Sequence, residues 1–376
     1  MHIHKAPFTS LLKSLTRRLP TSGPLLRRIQ YEARHPTSTA QVLASFPENE
    51  DLNASYDSET PWLAAFVDVF RGLETQVYVF SSLETKTQTK TQNKDENTNT
   101  VTAQERDIAK RQLLDLFTYI RRQMTPAYLE FLSSQPPAPV SVGEDEGVKK
   151  IPAHPTTSVL LGSANEVVVR LLVEIDSETE KETFRIHRGQ NHFYAKYCFP
   201  SSAFDSGDSL KEAGGLNLED SGYTFVDSNG VPGIQEHHIP LVKRRTNIPR
   251  SKETLLAMGG VALYHHPTSL PGSEEMPRAW AFLGFDGSLC TLHVEAEHRG
   301  KGLGGVVGKE AMRRGGEVFG SLPSTTSALA NRNQDEGQDW YFADVAIDNA
   351  ASRRVMEKMG GEARWNVAWM VVEVDL

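Results

Sequence analysis

The sequence of 376 residues predicts a mixed α/β fold, and three features of its second half carry that prediction. Apolar strand-like runs alternate with helical patterns from Tyr223 onward. One strand runs through the basic, glycine-rich turn Arg299-Gly-Lys-Gly-Leu-Gly304 into an amphipathic helix. A second strand–helix–strand series occupies the last stretch of the chain.

The elements follow in chain order. The first 31 residues hold Lys5, Lys13, Arg17, Arg18, Arg27 and Arg28, with no acid before Glu32. Leu11, Leu15 and Leu19 recur every four residues, as on one face of an amphipathic helix. A mitochondrial transit peptide is the alternative for this segment. Stretches 63–70 and 76–80 read as strands, with turn chemistry at Arg71-Gly72 between them. The polar, low-complexity run 85–102 predicts a disordered insert. A helix over 103–124 aligns Leu113, Phe117, Ile120 and Met124 and stops at Thr125-Pro126. Stretch 134–157, rich in Pro and charge, reads as a linker. Over 159–176 the length fits a buried helix while Val167-Val-Val169 fits a strand, and periodicity leaves both open. A strand over 193–199 precedes the connection 201–222, and the predicted domains are 1–200 and 221–376.

In the second domain a short strand over 223–226 leads to helices over 238–245 and 250–256. Strands over 260–264, 279–285 and 289–295 follow, the last two joined by a tight turn at Asp286-Gly287. The helix over 303–314 presents Leu303, Val306, Val307 and Ala311 on its apolar side, with Arg313, Arg314 and Gly315 as its stop. Stretch 321–339 reads as a flexible insertion. A strand over 341–347, a helix over 350–359 and a strand over 368–374 complete the domain.

Composition removes several function classes. A formal net charge of −8 argues against a general nucleic-acid binder. Two cysteines, Cys198 and Cys290, imply no disulfide framework and suit a reducing compartment. No apolar run approaches the roughly 20 residues of a membrane span, so the expected setting is the cytoplasm, or the mitochondrion if the basic amino terminus is a leader. The pairs His237-His238 and His265-His266 lack a carboxylate or thiol cluster to complete a metal site, so no metal is expected. Lys243-Arg-Arg245 with Arg250 reads as a solvated helix face, the alternative being a site for an acidic acceptor.

The glycine turn offers free backbone N–H groups and the positive end of a helix to one anion, as a nucleotide-like diphosphate requires. Gly300-Lys-Gly302-Leu-Gly-Gly305 also fits a dinucleotide fingerprint, but too little chain follows for a doubly wound fold. A P-loop fails because Lys301 is followed by Gly302 rather than Ser or Thr. A third reading, an acyl-CoA site, comes from a resemblance. Val294-Glu-Ala-Glu-His-Arg-Gly-Lys-Gly-Leu-Gly304 closely resembles the signature of the GCN5-related N-acetyltransferases (GNAT). Ala343-Asp-Val-Ala-Ile-Asp-Asn-Ala-Ala-Ser-Arg-Arg-Val-Met-Glu-Lys-Met-Gly360 resembles that family's fifth strand and last helix. Leu19-Pro-Thr-Ser-Gly-Pro-Leu, Trp280-Ala-Phe-Leu-Gly-Phe-Asp-Gly and Glu297-His-Arg-Gly-Lys-Gly are similar to the glycine N-acyltransferase-like branch.

The resemblance implies a GNAT acyl-CoA N-acyltransferase fold in two tandem domains, the first degenerate and the second intact. It implies acetyl-CoA or a longer acyl-CoA as co-substrate and a small-molecule amine, such as an amino acid, as acceptor. Backbone groups of Leu292, His293 and Val294 would pair with the pantetheine arm between two splayed strands. Arg299, Gly300, Lys301, Gly302, Leu303 and Gly304 would wrap the diphosphate; Asn349 and Ser352 would meet the arm from the last helix. His293 and Glu295, on one strand face, are the candidate bases; Glu297 and an ordered water are the alternatives. Met356 stands near the position where the family often carries a Tyr that reprotonates the thiolate. A protein amino group as acceptor and an acyl-CoA-binding regulator without turnover are the rival functions.

Overall fold

The computed structural model describes residues 1–48, 60–88, 101–136, 151–178, 183–204, 212–213, 216–218, 220–266, 275–319 and 339–374. The chain divides into two compact units. Unit 1 is Met1–Val142, Ala153–Lys196 and Arg364–Leu376, and unit 2 is Gly143–Pro152 and Tyr197–Ala363.

In unit 1, strands β1 (His2–His4), β2 (Gln41–Ala44), β3 (Leu63–Val67) and β4 (Val77–Ser81) pair antiparallel in sequence order. Strand β5 (Ser158–Asn165) joins parallel to β4. Beyond β5 lies the chain's last strand, β15 (Glu362–Glu373), which also pairs with β6 (Arg185–Arg188). Helices α1 (Thr9–Thr16), α2 (Gly23–Arg34), α3 (Leu83–Gln88), α4 (Ala103–Tyr119), α5 (Thr125–Ser134) and α6 (Glu166–Glu178) complete the unit. Leu63, Val67, Leu113, Phe117, Leu161, Leu172, Met370 and Val372 belong to its core.

Several sequence expectations change here. Leu11 and Leu15 bury as one face of α1, but Leu19 lies beyond that helix. Arg28 is buried in α2, 3.3 Å from Glu32 and with its guanidinium 3.7 Å from the centre of the Phe66 ring. Thr125-Pro126 does not stop the helix. A π turn over Ile120–Met124 carries α4 into α5, and Pro126 occupies a first-turn position where no N–H is needed. The ambiguous stretch resolves into β5 followed by α6. Asn165 Oδ1 accepts from Val167 N at 3.0 Å, and Val168, Val169, Leu171, Leu172 and Ile175 bury along the helix. Tertiary burial there overrides the strand preference of the valines. The expected insert begins as helix in α3, and its remainder at 89–100 lies outside the described residues, as do 137–150 and 320–338.

In unit 2, after the two-residue strands β8 (Glu212–Ala213) and β9 (Leu216–Asn217), four antiparallel strands run in sequence order. They are β10 (Tyr223–Thr224), β11 (Val261–His265), β12 (Ala279–Leu283) and β13 (Leu289–Val294). Strand β14 (Trp340–Ala346) neighbours β7 (Phe193–Pro200), whose residues from Tyr197 on belong to this unit. Helices α7 (Ile239–Arg244) and α8 (Lys252–Met258) bury Ile239, Val242, Leu255 and Met258 against Trp280 and Phe282. By strand alternation Ala279, Ala281 and Leu283 face the other way, where α9 (Leu303–Arg313) packs. Gly315 does not end the helical run, since α10 (Gly315–Phe319) follows directly. A Cβ at Gly315 would sit 2.5 Å from Tyr341 and 2.7 Å from Leu283, so close packing explains this glycine. The last helix is α11 (Ala350–Lys358).

The final strand is the main departure. Sequence order placed it at the end of the second domain, whereas β15 is longer and inserts into the unit 1 sheet, with Val367 opposite Asn165 and Val372 opposite Val159.

Candidate active site

The glycine turn forms where β13 ends. A single 3₁₀ turn, Ala296–His298, leads to Arg299, whose Nε donates to the Val294 carbonyl at 2.9 Å. Gly300 and Gly302 both adopt φ +80°, the left-handed region that L side chains resist. Gly302 precedes α9 with no side-chain cap and no acid in the first turn, so the leading amides and the helix dipole are uncompensated. Gly304 matters differently. A Cβ there would meet Val294 Cγ2 at 3.7 Å and Val355 Cγ1 at 3.9 Å, ordinary contacts in the gap between the end of β13 and α11.

Strands β13 and β14 are bridged at one end. A parallel bridge joins Ser288 to Phe342, with Phe342 N donating to Gly287 O at 3.0 Å. Among the described residues no further bridge links the two strands toward Val294 and Ala346, so that edge of β13 is open. On its other edge β13 pairs with β12 irregularly. Trp280 faces His293 and Phe282 faces Cys290, so one strand advances two residues while the other advances three. The extra residue makes a bulge around Thr291 and Leu292, and Thr291 sits at φ +52°. This strained, β-branched residue was absent from the sequence reading. A one-residue bulge leaves no mark on strand alternation that could have exposed it.

His293 and Glu295 come together as expected, with His293 Nε2 3.8 Å from Glu295 Oε2. That exceeds hydrogen-bond length, and Nε2 is buried without a hydrogen-bond partner. The imidazole stacks on the fully buried Trp280, ring centres 4.6 Å apart and planes 25° from parallel. Burial lowers the His293 pKa below its ordinary value; Glu295 opposes this, and Arg299 and Arg245 add to it. Burial pushes the Glu295 carboxyl up, but Arg245 outweighs it and holds the group below its ordinary value. The two residues form a forked ion pair, Arg245 Nε and Nη2 donating to the carboxylate at 3.0 and 3.1 Å. Lys243, Arg244 and Arg245 are exposed, as in the reading as a solvated helix face, and Arg245 in addition reaches Glu295 in the site region. Glu297 is exposed in the turn.

The remaining predicted residues divide. Asn349 caps α11, its Oδ1 accepting from the Ser352 N–H at 3.0 Å, and Ser352 is half-buried. Lys301 Nζ donates to the Tyr223 hydroxyl at 3.1 Å. Met356 is buried. One hydroxyl does meet the last helix: Tyr197 Oη donates to Glu357 Oε1 at 3.0 Å and accepts from Arg353 Nε at 3.2 Å. Tyr197 comes from a distant strand, so motif spacing carries no signal for it. Among the described residues no group of three or more His, Cys, Asp or Glu could hold a metal ion, and no helix is long and apolar enough to cross a membrane.

Two strands that part after one parallel bridge, beside a glycine turn and a helix start, are the arrangement that the sequence's resemblance to the GNAT family implies. More particularly, residues 1–197 match the family model described as the acyl-CoA N-acyltransferase verG N-terminal domain, and the chain belongs to that family. Its coarse chemistry is thus acyl transfer from acyl-CoA. A solved Drosophila protein shares the fold over 99% of this chain and 98% of its own, at 10% identity and TM-score 0.52. A GCN5-related N-acetyltransferase from Kribbella flavida aligns over 58% of this chain and 67% of its own, with 15% identity and TM-score 0.32. A tandem GNAT protein from the clavulanic acid biosynthesis pathway aligns over 97% and 93%, with 10% identity and TM-score 0.40. Curated proteins yield no match. The expected class, a mixed α/β acyl-CoA N-acyltransferase fold in two units, is the one found.

Proposed function

We propose that unit 2 transfers an acetyl or longer acyl group from a CoA thioester to the primary amine of a small molecule such as an amino acid. The observation that carries this reading is the parting of β13 from β14 after the single Ser288–Phe342 bridge, next to the bulge at Thr291. The open edge of β13 offers backbone groups of Leu292, His293 and Val294 to an extended arm, as a neighbouring strand would. The bulge turns peptide groups out of the β12 ladder, which supports a free N–H at the thioester carbonyl. Arg299 to Gly304 supply amides, two left-handed glycines and Lys301 to the diphosphate. Gly304 presents no side chain between the end of β13 and α11, where Asn349 and Ser352 begin the helix, which supports an approach of the arm there.

His293 is the better base. Its buried Nε2 is unpartnered and burial favours its neutral form, ready to take a proton from the substrate ammonium or from the amine nitrogen as it bonds to the thioester carbon. Glu295, locked to Arg245 and ionised, positions charge beside the imidazole as it becomes cationic. Protonation of the leaving thiolate falls to solvent, since Met356 offers no hydroxyl.

The buried Met356 favours one second reading, an acyl-CoA-binding regulator without turnover. Thiol release from acetyl-CoA and longer acyl-CoAs against a panel of amino acids, amines and peptides separates the two. Release with a small amine supports the proposed enzyme, and release only with peptides moves the acceptor to protein amino groups. Binding without release leaves the regulator, and no heat with any CoA derivative removes both. The cytoplasm is the compartment we propose; Leu11, Leu15 and Arg28 are buried in the packing of unit 1. Fluorescence of a carboxyl-terminal fusion checks it, mitochondrial signal being the contrary result.

A further inference from the structure

Basic side chains collect beside the glycine turn of unit 2. Tyr223 opens β10, His265 closes β11, Arg278 precedes β12, and His298 and Lys301 flank Arg299 after β13. Antiparallel pairing brings these strand ends to one edge of the sheet, Tyr223 opposite His265 and Ala279 opposite Val294. The Tyr223 ring centre lies 4.5 Å from that of His265 and 5.7 Å from that of His298, and the two imidazoles are 5.3 Å apart. Tyr223 Oη is 2.6 Å from His298 Nδ1 and accepts from Lys301 Nζ at 3.1 Å. With the ammonium donating to the phenol oxygen, the phenol proton goes to Nδ1, and His298 is neutral with its other nitrogen protonated.

The charges around these imidazoles have nearly one sign. Burial disfavours the cationic form of His265, and Lys301, Arg278 and His266 add to it, while a hydrogen bond with the Ser221 backbone opposes. For His298, burial acts first, then His265, Lys301 and Arg278, and Glu297 alone opposes. Glu297 and Lys301 are exposed, whereas His265, His298 and Arg278 are half-buried. Lys301 and Arg278 both disfavour charge on the two imidazoles, and a multiply charged anion bound among them would offset that repulsion.

We propose that Lys301, His298, His265 and Arg278 form a phosphomonoester subsite beside the glycine turn, which selects CoA over the form lacking its 3′-phosphate. This rests on the acyl-CoA reading and deepens it. The division of labour is chemical. The backbone amides of the turn suit the diphosphate, while a monoester near neutral pH carries up to two charges and calls for full cations. Tyr223 parks the Lys301 ammonium over its hydroxyl in the free protein and holds the two imidazoles in place.

Calorimetric titration of CoA and dephospho-CoA tests the subsite. Wild type should bind CoA about tenfold or more tighter, the worth of one or two charge-assisted hydrogen bonds. His298→Gln and Arg278→Gln should each cut that ratio several-fold while leaving dephospho-CoA affinity within about twofold, which also reports that the turn is intact. A bound dianion favours protonated His265 and His298, so binding takes up protons. The ratio should therefore widen between about pH 8 and about pH 6. Equal affinities for the two ligands throughout would overturn the subsite and leave the acyl-CoA reading standing. Loss of binding to both ligands would overturn the two together.

Discussion

His293 takes its chemical character from its neighbours. Trp280 covers one face of the imidazole, burial disfavours the cation, and the Glu295–Arg245 pair sets the local charge. The acid limb of the kcat/KM profile should accordingly lie below the ordinary imidazole value. Glu295→Gln removes the carboxylate that favours the imidazolium and leaves Arg245 uncompensated beside it. The His293 pKa then falls further, so the acid limb moves to lower pH while turnover at neutral pH persists. His293→Ala should slow turnover by about 10²- to 10⁴-fold without weakening CoA binding. Abolition of turnover by Glu295→Gln at every pH would instead make the carboxylate the base. Alternation along a strand was enough to place both side chains together. The forked pair with Arg245 was not foreseeable, because that partner lies 50 positions away in sequence.

Individual elements separate what glycines do for folding from what they do for ligands. Gly304 lies in α9 with room for a methyl group against Val294 and Val355. Gly304→Ala should raise stability by about 0.5–1 kcal/mol, as alanine does in a helix, and still weaken CoA binding by filling the gap at the strand end. Thermal melts and calorimetry check the two signs; unchanged CoA affinity would place the arm elsewhere. Thr291 offers the reverse case. At φ +52° its side chain opposes the backbone, so Thr291→Gly should be neutral or stabilising, although the same exchange inside a regular strand costs about 1 kcal/mol. The turn, α9 and α11 were legible in the sequence because local rules specify them: glycines for positive φ, a basic last turn and an Asn cap. The bulge, the π turn and the start of α6 were not legible. Each depends on which neighbours bury a side chain, and strand and helix periods do not encode that.

At the scale of the whole molecule, chain order and spatial order part company at the carboxyl end. Strand β15 pairs with β5 and with β6, both in unit 1, and buries Val367, Ala368, Met370, Val371 and Val372 almost completely. The family match ends at residue 197, far before this strand. Burying those side chains contributes about 1.5–3 kcal/mol for each large one, comparable in sum with the whole stability of a domain. A fragment covering residues 1–200 lacks that strand and exposes an unpaired edge of β5, the kind of edge that invites aggregation. The expectation is that the fragment is unfolded or aggregated by circular dichroism and size exclusion. A version carrying residues 362–376 after a flexible linker should instead melt cooperatively. The linker must cover the distance that the chain between the two segments covers in the intact protein, and its length changes the closure cost only slowly. A soluble, cooperatively melting fragment without the added strand would show that β15 is dispensable to unit 1. The expected result instead makes the last residues of the chain a structural requirement of the first half.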